Sequence, residues 1–132
     1  MSERINYRSG AVWEDLVGYS RAVKVGNCIE IAGTTAFVNG ELVGKNDLYL
    51  QCKCIFEKIE QVLLQAGSSL TDVVRTRTFV TDISRWEEFA KAHAEYFANI
   101  RPAASLIEVK GFIDPEMLVE IEVTAIISGA KV

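Results

Sequence analysis

VVRTRTFV, residues 73–80, is the stretch whose reading decides the fold. Six of its eight residues are β-branched or aromatic, which favours a strand over a helix. Alternation puts Val73, Arg75, Arg77 and Phe79 on one face and Val74, Thr76, Thr78 and Val80 on the other. A helical pattern lies on either side of this strand in sequence. Upstream, Leu48, Cys52, Ile55, Phe56, Ile59, Val62, Leu63 and Ala66 form one apolar stripe. Asn46 or Asp47 can cap that helix, and Gly67 supplies its stop. Downstream, Ser84 and Glu87 read as a capping box, followed by an apolar face from Trp86 through Phe89, His93 and Phe97 to Ile100. Pro102 ends the second helix and biases Arg101 away from helical geometry.

The flanking segments supply the remaining strands. Ser20–Val25 and Cys28–Ala32 read as a hairpin around a tight Gly26-Asn27 turn. Asn39-Gly40 marks a second hairpin within residues 37–42. Ala104–Val109 and Leu118–Ile127 read as the last strands, whereas residues 1–18 show only weak periodicity. This order predicts a single α+β domain over residues 1–132, with a mixed sheet and two helices on one face. The uncovered face would be β-branched and moderately polar. Such a face suits a subunit interface, so an oligomer is expected.

Composition narrows the function classes. The chain has 132 residues, 49% of them hydrophobic, and a net charge of -4. A nucleic-acid binder needs a basic face, which this balance does not provide. No apolar run approaches the roughly 20 residues of a membrane span. MSERINYRSG lacks the apolar centre of a signal peptide, so a cytoplasmic protein is expected. Three cysteines, Cys28, Cys52 and Cys54, form neither a disulfide framework nor a zinc pattern and read as small buried residues.

Candidate chemistry is scattered. VEIEV places Glu120 and Glu122 on one strand face, where crowding would raise one pKa; alone, the pair reads as a solvated face. His93 sits on an apolar helix stripe and reads first as a hydrogen-bonded structural histidine. Tyr19 can bond a ligand or fill a core edge. Arg101 can hold an anion in its planar fork or cap helix carbonyls. Arg75 and Arg77 point to an anionic partner or to ordinary surface charge. A glycine at a strand end, such as Gly33, permits close approach of another group.

Taken together, GYSRAVKVGNCIEIAGTT (18–35), DVVRTRTFVTDI (72–83), RPAASLIEV (101–109) and VEIEVTAI (119–126) resemble, in order, the blocks of the Rid family. These reactive intermediate deaminases are also called YjgF-like or L-PSP-like. The resemblance implies a chorismate-mutase-like fold and a homotrimer whose sheets pack as a central barrel. Ligand clefts would lie between subunits. It also implies hydrolysis of enamines and imines such as 2-aminoacrylate to keto acids and ammonia, without metal or organic cofactor. By position, Glu120 and Tyr19 match the family's catalytic groups. Gly33, Thr34, Arg101, His93 and Arg77 complete the expected substrate-binding set.

The match has departures. The family's carboxylate-binding arginine, two residues after the proline, is Ala104 here. Leu106 stands for a frequent cysteine, Ala32 for a serine, and His93 for an asparagine. Losing a buried charge-assisted grip costs on the order of 2–5 kcal/mol. A weakened or altered substrate range is therefore expected. The alternative is a non-catalytic small-molecule binder or sensor using the same cleft. RNA cleavage, a role attached to relatives, is opposed by the acidic charge.

Overall fold

The computed structural model describes residues 3–128. Eight strands and three helices follow one another as β1 (Arg4–Tyr7), α1 (Val12–Val17), β2 (Ala22–Val25), β3 (Cys28–Thr34), β4 (Phe37–Val38), β5 (Glu41–Leu42), α2 (Leu48–Gln65), β6 (Val73–Val80), α3 (Trp86–Phe97), β7 (Ala103–Glu108) and β8 (Val119–Ile126). Six strands form one sheet in the order β1-β2-β3-β8-β6-β7, and β4-β5 form a separate hairpin. Within the large sheet β6 and β7 pair parallel, joined by the α3 crossover, and the other pairs are antiparallel. This is the expected α+β mixed sheet.

Both long helices lie on one sheet face. Ile29 and Ile31 of β3, Thr76, Thr78 and Val80 of β6, and Val119, Ile121, Val123 and Ala125 of β8 are buried there. They meet Leu48, Cys52, Ile55, Phe56, Ile59 and Leu63 of α2 and Phe89, Ala92 and Phe97 of α3. Asp47 caps α2 by accepting from the Leu50 amide at 2.9 Å. At its other end Gly67 takes φ 82°, and the Ser68 amide reaches back to the Leu63 carbonyl. In the β4-β5 turn Asn39 and Gly40 have φ of 52° and 82°, the positive pair that a two-residue hairpin favours.

Four expectations are corrected. Val73 is buried and Val74 exposed, the reverse of a regular alternation with Arg75. A bulge is the reason: Val73 pairs with Ala125 but Arg75 with Thr124, so Val74 is an extra residue. The capping box at Ser84 does not form. Ser84 gives both its amide and its hydroxyl to Asp82, in a 3-10 turn over Ile83–Arg85. Arg85 then holds Glu88 through two bonds of 2.7 and 2.8 Å, and α3 begins at Trp86. That helix ends at Phe97 rather than Ile100, because Arg101 turns left-handed (φ 57°) and its amide bonds the Phe97 carbonyl at 2.8 Å. Finally, the weakly periodic N-terminus contains β1 and α1. The strand is short and largely exposed. In α1 burial is inverted: Val12, Trp13, Leu16 and Val17 are exposed while Glu14 is buried, accepting from the Ser9 amide and hydroxyl.

Candidate functional site

The sheet face turned away from the helices carries a band of charge. Strand alternation puts Glu120, Glu122 and Thr124 of β8 there, with Arg75, Arg77 and Phe79 of β6 and Glu30 of β3. Arg77 sits opposite Glu122 in register and approaches it to 3.7 Å. Arg75 donates to Ser105 at 3.2 Å, and Thr124 to Glu30 at 2.6 Å. The paired carboxylates therefore stand where alternation puts them, though in a polar network rather than open water.

Glu120 has the most unusual surroundings. Its neighbour strand β3 carries a bulge between Ile31 and Thr34, spending three steps where β8 takes two. Gly33 lies in that bulge, and a Cβ built on it would fall 2.6 Å from the Glu120 carboxyl. A side chain at 33 would require the Glu120 carboxyl to move from this seat. Arg21, just ahead of β2, donates to the Gly33 carbonyl at 2.7 Å, and its guanidinium lies 6.0 Å from the Tyr19 ring centre. Burial raises the Glu120 pKa above the usual carboxylate range; Glu122 adds to the rise, and Arg21 opposes it. A carboxyl held so can both give and take a proton nearer neutrality. Tyr19 is exposed and lines a groove of about 460 Å³ with Ser20, Ala32 and Glu122. Glu120 and Gly33 are not on that groove's wall.

A second groove, about 400 Å³, runs along α3 beside Phe89, His93, Phe97, Arg101 and Pro102. His93 shares a 2.9 Å hydrogen bond with Thr76 and packs among the Phe56, Phe89 and Phe97 rings at 4.8–5.8 Å between centroids. Burial pushes its pKa down, so it is neutral at pH 7. This is the hydrogen-bonded structural histidine of the sequence reading. Arg101 is exposed on the groove's lip, and its guanidinium makes no hydrogen bond or ion pair among the described residues. Its amide, not its side chain, closes α3. Ala104 pairs in parallel register with Thr76, so it faces the helix side.

The candidate residues thus fall into two groups. Tyr19, Gly33, Glu120 and Arg77 gather on the open face. His93 and Arg101, with Ala104, belong to the helix side near the β7 edge. Thr34 joins neither: it is buried, and its hydroxyl donates to the Ala32 carbonyl at 2.8 Å. Arg21 was passed over in the sequence. Its one signal is position, immediately before buried Ala22, which turns it to the open face beside Tyr19. Among the described residues no group of His, Cys, Asp and Glu could hold a metal ion. Burial pushes the Cys52 thiol up to about 12, so it is unreactive. Among the described residues no helix is long and apolar enough to cross a membrane.

Comparison with known proteins bears on this arrangement. A family described as Endoribonuclease L-PSP matches residues 12–127. An uncharacterised protein of Streptomyces coelicolor is 37% identical over 89% of this chain and 88% of its own length. The 3-aminoacrylate deaminase RutC of Acinetobacter baylyi is 32% identical over 80% of this chain and 84% of its own. The crystal structure of Rv2704 from Mycobacterium tuberculosis, a member of the YjgF/YER057c/UK114 family, superposes with a TM-score of 0.86. It is 45% identical and covers 95% of this chain and 100% of that one. The matched span takes in Tyr19, Gly33, Glu120 and both long helices, and the chain belongs to the L-PSP, YjgF-like (Rid) family.

Proposed function

We propose that this protein hydrolyses imines or enamines to carbonyl compounds and ammonia, in a cleft completed between subunits of a homotrimer. The seating of Glu120 against Gly33, with its raised pKa, carries the reading. The similarity to a 3-aminoacrylate deaminase supports it.

The chemistry asks little of the protein. Protonation of the imine nitrogen makes its carbon electrophilic. Glu120 takes a proton from water as the oxygen bonds to that carbon, and the C=N π pair moves to nitrogen. The carboxyl then returns the proton to the departing nitrogen and, again a carboxylate, takes the proton of the new hydroxyl as the C–N bond breaks, so that ammonia leaves and the carbonyl forms. Orientation and a few hydrogen bonds supply most of the acceleration. Tyr19, on the same open face as Glu120, would orient the substrate.

Assembly is proposed on geometry. Within one chain the Glu120 group and the His93–Arg101 groove are on opposite sides of the sheet. A neighbouring subunit would bring one group against the other. Light scattering at three times the 14.6 kDa chain mass would support this, and a monomer at micromolar concentration would remove it.

The activity is tested by following keto-acid or aldehyde release from 2-aminoacrylate and from bulkier or uncharged imines. Ala104 leaves no cation at the family's anchor, so turnover should favour the substrates without a carboxylate. No turnover on any of them by folded protein would sink the reading. The same alanine favours a second reading, a binder without catalysis. Stabilisation by keto acids or amino acids in a thermal-shift screen, without hydrolysis, would establish it.

A further inference from the structure

Two cations hold one run of backbone. The Arg21 guanidinium donates to the Gly33 carbonyl at 2.7 Å. Lys58 of α2 donates to the carbonyls of Thr35 and Phe37, at 2.7 and 2.6 Å. Alternate carbonyls of residues 33, 35 and 37 thus accept from side-chain cations. Bonds of this charge-assisted kind are shorter and stronger than neutral ones. Burial pushes the Lys58 pKa down and Arg21 adds to that, so the two cations are close enough to feel each other. They are gathered against their own repulsion, by the carbonyls they grip.

Arg21 holds the bulge twice. Its carbonyl accepts from the Ala32 amide at 3.0 Å, and its side chain binds the next residue, Gly33. Its Nε is buried and has no partner among the described residues, a cost that persists only where other contacts fix the side chain. Gly33 in turn is the floor on which the Glu120 carboxyl rests. A displaced Gly33 would move that floor.

We propose that Arg21 is a positioning residue for Glu120: it pins Gly33 in the β3 bulge so that the carboxyl stays seated there, and it keeps a positive charge beside it. The catalytic consequence rests on the proposed hydrolysis, whereas the effect on Glu120 does not. The charged and titratable groups sharing the open face are Glu122 on β8, Arg75 and Arg77 on β6, Glu30 and Cys28 on β3, Arg4 on β1, and Tyr19 and Arg21 ahead of β2. Of the cations, Arg77 is engaged by Glu122, Arg75 by Ser105 and Arg4 by Asn6, whereas Arg21 bonds the Gly33 carbonyl beneath Glu120 and is the one that opposes the rise in its pKa.

The test is a carbon-13 titration of the Glu120 side-chain carboxyl in the full chain, assigned by its loss in Glu120→Gln. In Arg21→Gln the midpoint should rise by about half a pH unit or more, because a favourable charge is removed. Arg21→Lys, which keeps charge but loses the fork, should give a smaller rise. If hydrolysis is present, the pH profile of kcat/KM should move by the same amount in each variant. An unmoved midpoint in folded Arg21→Gln overturns the proposal, whatever the activity. Should that variant not fold, Arg21→Lys decides: an unmoved Glu120 midpoint and an unmoved Gly33 carbonyl signal overturn it. A shifted midpoint in a protein that turns over no imine leaves the positioning role standing and removes the hydrolase reading.

Discussion

At the residue scale, Glu120 lies between opposing pressures. Burial and Glu122 favour its neutral form, and Arg21 favours the anion. Its folded pKa is raised above the ordinary 4.5, so the stability it contributes is fully present below that value and lost as pH rises through the raised one. Glu120→Gln cannot ionise. Its melting temperature relative to the parent should therefore increase from acid to neutral pH, and a falling difference would contradict the assignment. Gly33 offers a separate check. Its φ is not in the left-handed region, so alanine is strained only by its neighbour. Gly33→Ala should cost about 1–2 kcal/mol by overpacking, and added Glu120→Ala should return much of that. Chemical denaturation of both variants measures it. Much of this site could be read in advance. VEIEV fixed the shared face of both carboxylates, and a glycine at a strand end pointed to close approach. Arg21 could not be read so, because its bond to Gly33 depends on a bulge between two strands, which leaves no local pattern.

At the scale of elements, long helices and buried strands were legible because each has one side in the core. α2 runs as its stripe requires, from an Asp47 cap to the Gly67 stop. Short pieces without a buried side were not. β1 has almost no core face, and α1 buries a glutamate while exposing its apolar residues. The start of α3 shows how one competing bond overturns a good motif: Asp82 takes the Ser84 hydroxyl before it can cap anything. The end of α3 makes a prediction. Arg101 holds a left-handed conformation that costs a side-chain-bearing residue roughly 1 kcal/mol and glycine little. Arg101→Gly should therefore stabilise the chain by up to about 1 kcal/mol in urea unfolding. A marked loss would mean that the guanidinium carries structural bonds after all.

At the scale of the molecule, two unlike sheet faces stand back to back. The helix side is closed and apolar. The other has half-buried Arg75, Arg77, Phe79, Glu120 and Glu122, with Arg77 paired to Glu122 and Arg75 bonded to Ser105. Half-buried arginines around an aromatic suit contact with protein better than with water. If the proposed trimer forms through this face, Phe79→Asp should lower the sedimenting mass relative to the parent while leaving the helical circular dichroism unchanged. An unaltered mass would remove this face from the proposed assembly. The sequence made this face foreseeable through the alternation of VVRTRTFV. It could not say that the family's anchor position, Ala104, lies on the other side, since that follows from the parallel pairing of β6 with β7.

The two bulges have a consequence for how such a chain tolerates changes of length. β3 and β6 flank β8, and each carries one residue more than β8 can match. In both, the surplus is absorbed locally and the rest of the strand keeps its facing. β8 has no such slack: Val119 to Ala125 alternate without interruption between core and open face. One residue inserted between Glu120 and Glu122 would turn one of them inward and expose the core side chains on its side of the insertion. Insertions and deletions should accordingly collect on either side of β8 and spare it, making this strand the ruler against which its neighbours are set.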